Sequence, residues 1–284
     1  MDYQTILDWQ IKEQVHTYTE RDTMLYALGV GYGADPLDQQ QLSFVYEKNL
    51  QAAPTQAVVL GYPGFWMGDP ATGINAVKLV HGEQGLQIHR PLPISGTVIG
   101  QTRVTGINDK GPEKGALVYS ERKVFNHDNG DLLATLTSTT FCRGDGGCGG
   151  DDPAPYTPHK LPEGPADFEC DLPLTEQAAL IYRLSGDYNP LHADLQVADK
   201  AGFKRPILHG LATMGVAGHA LLKMCCDYDG SRLTEMRLRF SAPVYPGEVI
   251  HTEIWQQAEQ LSFRCSVPAR DQLVLSNGAA VIAK

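Results

Sequence analysis

Long apolar runs are missing from this chain: none of its stretches approaches the roughly 20 consecutive apolar residues a membrane helix needs, so no membrane partner is expected. Excess positive charge is missing too. Against 33 acidic residues stand 23 Lys and Arg, a formal net charge of −10, and such a field offers no footprint for nucleic acid. Cysteine is sparse and unpaired in pattern. Cys142, Cys148, Cys170, Cys225, Cys226 and Cys265 show no C-x-x-C spacing, which argues against a structural zinc site and a disulfide framework and leaves free thiols. Three motifs are also absent: the G-x-S-x-G elbow of serine hydrolases, the phosphate loop G-x-x-x-x-G-K-[ST] and the zinc motif H-E-x-x-H. The glycine-rich "GVGYG" follows a helical rather than a strand pattern, so a dinucleotide fingerprint is not expected. The opening "MDYQTILDWQIKEQ" lacks a basic-then-apolar leader and the closing "AVIAK" lacks a peroxisomal address, so a cytoplasmic protein is expected. What remains is a small-molecule partner.

The chain divides nearly in half. Between Phe141 and Phe168 the residues are dense in Gly, Pro and Asp without apolar periodicity, which predicts a flexible linker over 144–166 between units 1–143 and 167–284. Each half ends in predicted antiparallel sheet. "ALVYSERKVF" and "LLATLTSTTF" flank "NHDNGD", whose Asn129-Gly130 pair is a hairpin signal because both positions tolerate positive φ. Leu261, Phe263, Cys265 and Val267 alternate with polar residues as a half-buried strand does. "TEQAALIYRLSG" predicts a helix with Thr175 as N-cap and Gly186 as its stop, and "RPILHGLATMGVAGHALLKM" a second helix rich in small residues that allow close packing on a sheet. The halves echo each other: "YALGVG" parallels "YRLSGD", and "PLPISGTVI" parallels "APVYPGEVI", at nearly the same offset, as a duplicated unit would.

The second copy carries chemistry that the first lacks. In "YRLSGDYNPLHAD", Pro190 fixes its own φ and restricts Asn189 to extended conformations, forcing a defined turn that can aim Asp187 and His192 at one spot. A carboxylate and an imidazole around a common water form an acid-base pair, and Asn189 can hold that water or a side chain. The same residues could equally make an ordinary Asx-turn. Gly210, in the first turn of the second helix, would present an unpaired N–H to a developing oxyanion. Lys200, Lys204 and Arg205 add local positive charge for an anionic substrate or merely solvate a loop. His209 and His219 read as packed or capping groups, and Phe65 and Trp66 as core.

"YRLSGDYNPLHAD" with "FKRPILHGLATMG" resembles the MaoC-like hydratases, the (R)-specific enoyl-CoA hydratases of the hot-dog fold. "YALGVG", "KLVHGEQGLQIHRPLP" and "NDKG" resemble the long two-module form, so the likeness covers most of the chain. It implies an α+β fold of two hot-dog modules side by side, each a curved antiparallel sheet wrapped around a long central helix. It also implies that the first module has lost its catalytic residues and makes room for the acyl chain. Asp187 and His192 would activate water and deliver a proton, Asn189 would order them, and the Gly210 N–H would bind the thioester oxygen. His81, Gly82, Lys110 and Phe240 would contact the acyl-CoA, with Tyr188 and Arg205 beside them. No metal or cofactor is implied; a homodimer is. Two other readings stay open: a hot-dog thioesterase directing water at the carbonyl, and a non-catalytic acyl-CoA-binding module.

Overall fold

The structure, a computed structural model, describes residues 1–284. Ten strands form one antiparallel sheet: β1 (Gln14–Tyr18), β2 (Leu79–Ile88), β3 (Gly96–Asp109), β4 (Ala116–Asn126), β5 (Leu132–Cys142), β6 (Phe168–Pro173), β7 (Leu233–Phe240), β8 (Val249–Gln257), β9 (Gln260–Val267) and β10 (Gln272–Ile282). Their spatial order is β1-β3-β4-β5-β2-β7-β10-β9-β8-β6. Read outward from the centre, the two arms have the same connectivity, β2-β5-β4-β3-β1 and β7-β10-β9-β8-β6. The echo in the sequence is therefore a structural duplication, and β2 pairing with β7 joins the copies.

Local patterns explain these elements. In β9, Leu261, Phe263, Cys265 and Val267 are buried and the residues between them are half-buried, as period two requires. The β4–β5 hairpin forms where expected, but only Gly130 takes positive φ, at 74°, because the loop is longer than a two-residue turn and Asn126 Oδ1 closes it on the N–H groups of Asp128 and Asn129.

Six α-helices accompany the sheet: α1 (Tyr3–Leu7), α2 (Glu20–Gly29), α3 (Gln39–Leu42), α4 (Ala178–Tyr182), α5 (Leu195–Lys200) and α6 (Gly210–Cys225). Only α6 is long. Ala212 through Leu222 are all buried, and burial of Met214, Val216, Leu221 or Leu222 contributes at most about 1.5–3 kcal/mol each. The expectation of a long helix in each module thus holds for the second alone. In the first, the corresponding concavity carries the 3₁₀ turn Pro54–Val59. Helix α6 reaches across to fill that space, with Gly215 against Val30 and Tyr26, and Gly218 against Thr55. One apolar core draws on both halves as a result.

Two further expectations are corrected. Helix α4 begins at Ala178 rather than after Thr175, because the Thr175 carbonyl is taken by the N–H groups of Ala178 and Gly247 in a preceding turn. The Gly-rich segment after β5 is pinned rather than flexible. The Asp109 carboxylate accepts the Gly147 and Gly149 N–H groups, both at 2.9 Å, and the Asp152 carboxylate accepts the Ile107 N–H at 2.9 Å and the Tyr3 hydroxyl at 3.1 Å. Farther along, Asn277 Nδ2 donates to the His159 carbonyl at 2.8 Å. Composition exposed the lack of periodicity here but not the carboxylates that tie the segment to β3. All six cysteines are free, four of them buried, and no helix is long and apolar enough to cross a membrane.

The echoed segments meet face to face: the Tyr26 and Tyr182 rings lie 5.8 Å apart, and a Cβ on Gly29 would sit 3.1 Å from Tyr182 Cα. Helix α6 is held as closely at Gly215, where a Cβ would overlap Val30 Cγ1 and approach Tyr26 Oη to 3.1 Å. Gly215→Ala is expected to lower stability by about 1–3 kcal/mol through overpacking, despite alanine's better helix propensity. Urea unfolding checks this, and a stabilised variant would show that the helix is not held so closely.

Candidate active site

The turn carrying the cluster is made by its own residues. Helix α4 tightens into a 3₁₀ turn, Arg183–Ser185, and stops at Gly186 with φ 116°, a conformation glycine adopts without a Cβ penalty. Asn189 Oδ1 then accepts the Leu191 N–H at 3.0 Å and starts a second 3₁₀ turn, Pro190–His192, with proline at its first position. The Asp187 carboxylate accepts the Asn189 N–H at 3.2 Å. The oxygen of Asn189 is engaged by the turn, so the ordering it provides acts through the backbone.

His192 is 8% exposed, and its Nδ1 lies 2.8 Å from the Ile207 carbonyl oxygen. A carbonyl can only accept, so Nδ1 carries the hydrogen and the neutral ring keeps a lone pair on Nε2. Burial pushes the His192 pKa below its ordinary value, against the opposing pull of the Ile207 hydrogen bond and Asp187. His209 stacks on it with ring centroids 3.7 Å apart, and its Nε2–H donates to the Asp187 main-chain carbonyl at 3.1 Å. Burial first, and His192 next, push the His209 pKa down to about 4. Side-chain atoms of Asp187, His192 and His209 gather within 4.8 Å of one another.

His209 was expected only to pack or cap, and it stands inside the cluster. Its position immediately before Gly210 was the one available signal. A metal fits these three groups poorly. The rings are stacked with 27° between their planes, so their in-plane lone pairs run side by side, and one nitrogen of each ring already donates to a carbonyl.

Across from this cluster lies the start of α6. The N–H groups of Gly210, Leu211 and Ala212 have no partner within the protein, and His209 provides no side-chain cap. These are the donors a helix start leaves over, at the positive end of a 16-residue dipole. A Cβ on Gly210 would meet the Phe240 ring at 3.3 Å, so glycine keeps this end open. Phe240 in turn faces His81, with ring centroids 4.8 Å apart, across the seam where β2 meets β7. Gly82 is the bulge that shifts the β2 register between His81 and Glu83. His81 Nε2 lies 3.1 Å from Ser138 Oγ, and burial lowers its pKa to about 4, with Asp187 pulling weakly the other way. The seam therefore brings Asp187, His192, Gly210, Phe240 and His81 to one place.

The other expected contacts lie outside it. Arg205 is engaged elsewhere: it donates to Glu176 at 3.2 Å and to the Pro246 carbonyl at 2.9 Å, and stands over the Tyr245 ring, anchoring the loop before His209. Tyr188 is exposed beside Asp187 with the Arg183 guanidinium over its ring. Lys110 is exposed at the end of β3, with β4 and β5 between it and β2. Lys200 and Lys204 are exposed. Phe65 is exposed rather than in the core, and Trp66 stacks on Trp9. His219 packs as expected, buried against the Tyr32 ring. Tyr182, missed as a neighbour, supports His209 from below at 4.9 Å between ring centroids.

Two family models match the chain: the MFE-2 hydratase 2 N-terminal domain over residues 16–144, and the MaoC like domain over 159–276. The chain is 39% identical to 3-hydroxyacyl-thioester dehydratase Y of Mycobacterium tuberculosis, covering 92% of each. It is 36% identical to the peroxisomal enoyl-CoA hydratase 2 of Arabidopsis thaliana, covering 95% of this chain and 92% of the relative. A crystal structure of a MaoC-like dehydratase from Phytophthora capsici superposes with a TM-score of 0.87 at 35% identity, over 99% of this chain and 98% of the other.

Neutral buried histidines make stability depend on pH. His81, His209 and His219 each have a folded pKa near 4 against an ordinary 6.5, so between these values the unfolded chain binds more protons. Their contribution is fully present above pH 6.5 and is lost as pH falls toward 4. Urea midpoints measured across this range should fall steeply with acid, and less steeply in His209→Gln. Identical slopes for the two proteins would mean that His209 is not buried in its neutral form.

Proposed function

Because the chain belongs to the MaoC-like hydratase and dehydratase family, in its double hot-dog form, we propose that it adds water reversibly to trans-2-enoyl-CoA, giving (3R)-3-hydroxyacyl-CoA. The carrying observation is the His192 ring. With Nδ1–H held by the Ile207 carbonyl, Nε2 is the basic atom of a ring that has the Asp187 carboxylate within 4.8 Å of one of its nitrogens. Water held between the two loses a proton to Nε2 as its oxygen bonds to the β-carbon. The π electrons move toward the thioester, and negative charge develops on its carbonyl oxygen. Unpaired N–H groups at the start of α6 receive that charge, and Gly210 leaves room for the oxygen to approach. The proton then passes to the α-carbon from the same Asp187–His192 pair, which makes the addition syn. His209 holds the Asp187 backbone and keeps a neutral ring against His192. A positive His209 would oppose protonation of its neighbour, so its low pKa serves the reaction.

Loss of enoyl absorbance on purified protein, with chiral analysis of the product, tests this reading. Asp187→Asn and His192→Ala should each lower kcat by about 10²–10⁴-fold under conditions where circular dichroism shows the variant still folded. Free CoA released from saturated acyl-CoA without enoyl turnover would establish a thioesterase, and ligand binding without turnover a binding module. In wild type, the acid limb of kcat/KM should fall with an apparent pKa below 6.5, following the depressed His192. An acid limb centred above 7 would remove His192 from the role of base.

A further inference from the structure

Four rings run in a column from the first half of the chain to the base His192. Between ring centroids, Tyr26 in α2 lies 5.8 Å from Tyr182 at the end of α4, Tyr182 lies 4.9 Å from His209, and His209 lies 3.7 Å from His192. The first two separations fall in the range where aromatic pairs attract one another, and the last is direct stacking. Tyr26, Tyr182 and His209 are each no more than 1% exposed. Tyr26 and Tyr182 hold the same place in the echoed segments "YALGVG" and "YRLSGD", so the half without an acid-base cluster still contributes a ring to the column.

His209 needs lateral support. Its ring makes one hydrogen bond, Nε2–H to the Asp187 carbonyl, and its Nδ1 is buried without a partner. A ring held at one atom can swing about that bond unless its sides are packed, and His192 and Tyr182 pack them. The titratable and charged groups facing His209 are His192 and Asp187 from the Asp187 turn, and Arg183 and Tyr182 from the end of α4. Burial, to which Tyr182 contributes, is the first cause of its low pKa. What Tyr182 supplies is the ring: its Oη is buried without a hydrogen-bond partner, and such a hydroxyl costs stability rather than adding it.

Resting on the hydratase reading above, we propose that Tyr182 is a positioning residue for the reaction: its ring holds His209 against His192 and keeps water from His209, with Tyr26 of the first half backing it. Alignment of the base thereby depends on the half that carries no acid-base groups.

The test compares turnover of a trans-2-enoyl-CoA by wild type, Tyr182→Phe and Tyr182→Met across pH. Phenylalanine keeps the ring and discards an unpartnered hydroxyl, so kcat should stay within about twofold of wild type with the same pH profile. Methionine fills the space without a ring, so kcat should fall by about 10- to 100-fold with KM within about threefold, as misplacement of a reacting group does. The acid limb should change in kind as well. Above about pH 5 the wild-type limb follows one proton, whereas in Tyr182→Met the hydrated His209 titrates in the same range and a second proton enters. A merely structural loss would lower kcat and leave the shape of the limb unaltered. Should Tyr182→Met not fold, Tyr26→Met, one ring farther out, should give the same changes at smaller amplitude. A ringless variant with wild-type kcat and a one-proton limb, or a Tyr182→Phe as impaired as Tyr182→Met, would overturn the proposal. Absence of turnover by wild type with any enoyl thioester would instead sink the hydratase reading. Imidazole NMR titration of His209 in wild type and the ringless variant then decides the column's role by itself, since the His209 pKa should rise toward its ordinary value in the variant, and an unmoved one would refute the support.

Discussion

Antiparallel pairing of β2 with β7 makes a single sheet out of two copies, and the site depends on that seam. The pairing runs from Glu83 against Arg239 to Gln87 against Glu235, with the Arg239 guanidinium bonded to the Glu83 carboxylate. It sets His81 of one half against Phe240 of the other, which in turn limits what can stand at Gly210. An exposed ion pair of this kind adds little stability, and main-chain bonds with side-chain burial on both faces hold the seam. A slip of one residue would turn His81 to the opposite face.

Asymmetry between the copies follows from how the space inside the curved sheet is filled. One long helix, α6, serves both halves, and its glycines admit Val30, Tyr26 and Thr55 from the first half. That half has only the short turn Pro54–Val59 where a second long helix would lie. Apolar and polar side chains alike line the remaining space, Val59 and Leu60 beside Gln56 and His16. In the second copy the equivalent region holds the candidate site: the start of α6 carries the unpaired donors, and the loop before it brings His209 against His192.

The strands and the long helix α6 were legible because period-two burial and a run of apolar residues are local properties. Asp187, His192 and Gly210 were legible for a related reason: a proline-braced turn and a helix start are short-range geometry. His209 was not, because the loop from Ala201 to Leu208 decides whether it meets His192, and nothing in its composition announces that closure. Arg205 was ambiguous for a different reason. A basic residue near a site has the same appearance in sequence whether it meets a substrate or clamps a loop to Glu176 and Pro246. The Gly-rich connection misled because its amides are captured by Asp109 at the end of β3, while its own Asp152 reaches back to the Ile107 amide of that strand.

Sequence by itself determined the elements of this protein: strand alternation, the stop at Gly186, the braced turn at Pro190 and the open helix start at Gly210, all set by the dihedral and hydrogen-bonding limits of neighbouring residues. Tertiary structure decided which of them meet. The His192 tautomer depends on the Ile207 carbonyl, and the neutrality of His209 depends on burial. Each of these is a contact between residues far apart in the chain or a consequence of lost solvent, and neither is written in local spacing.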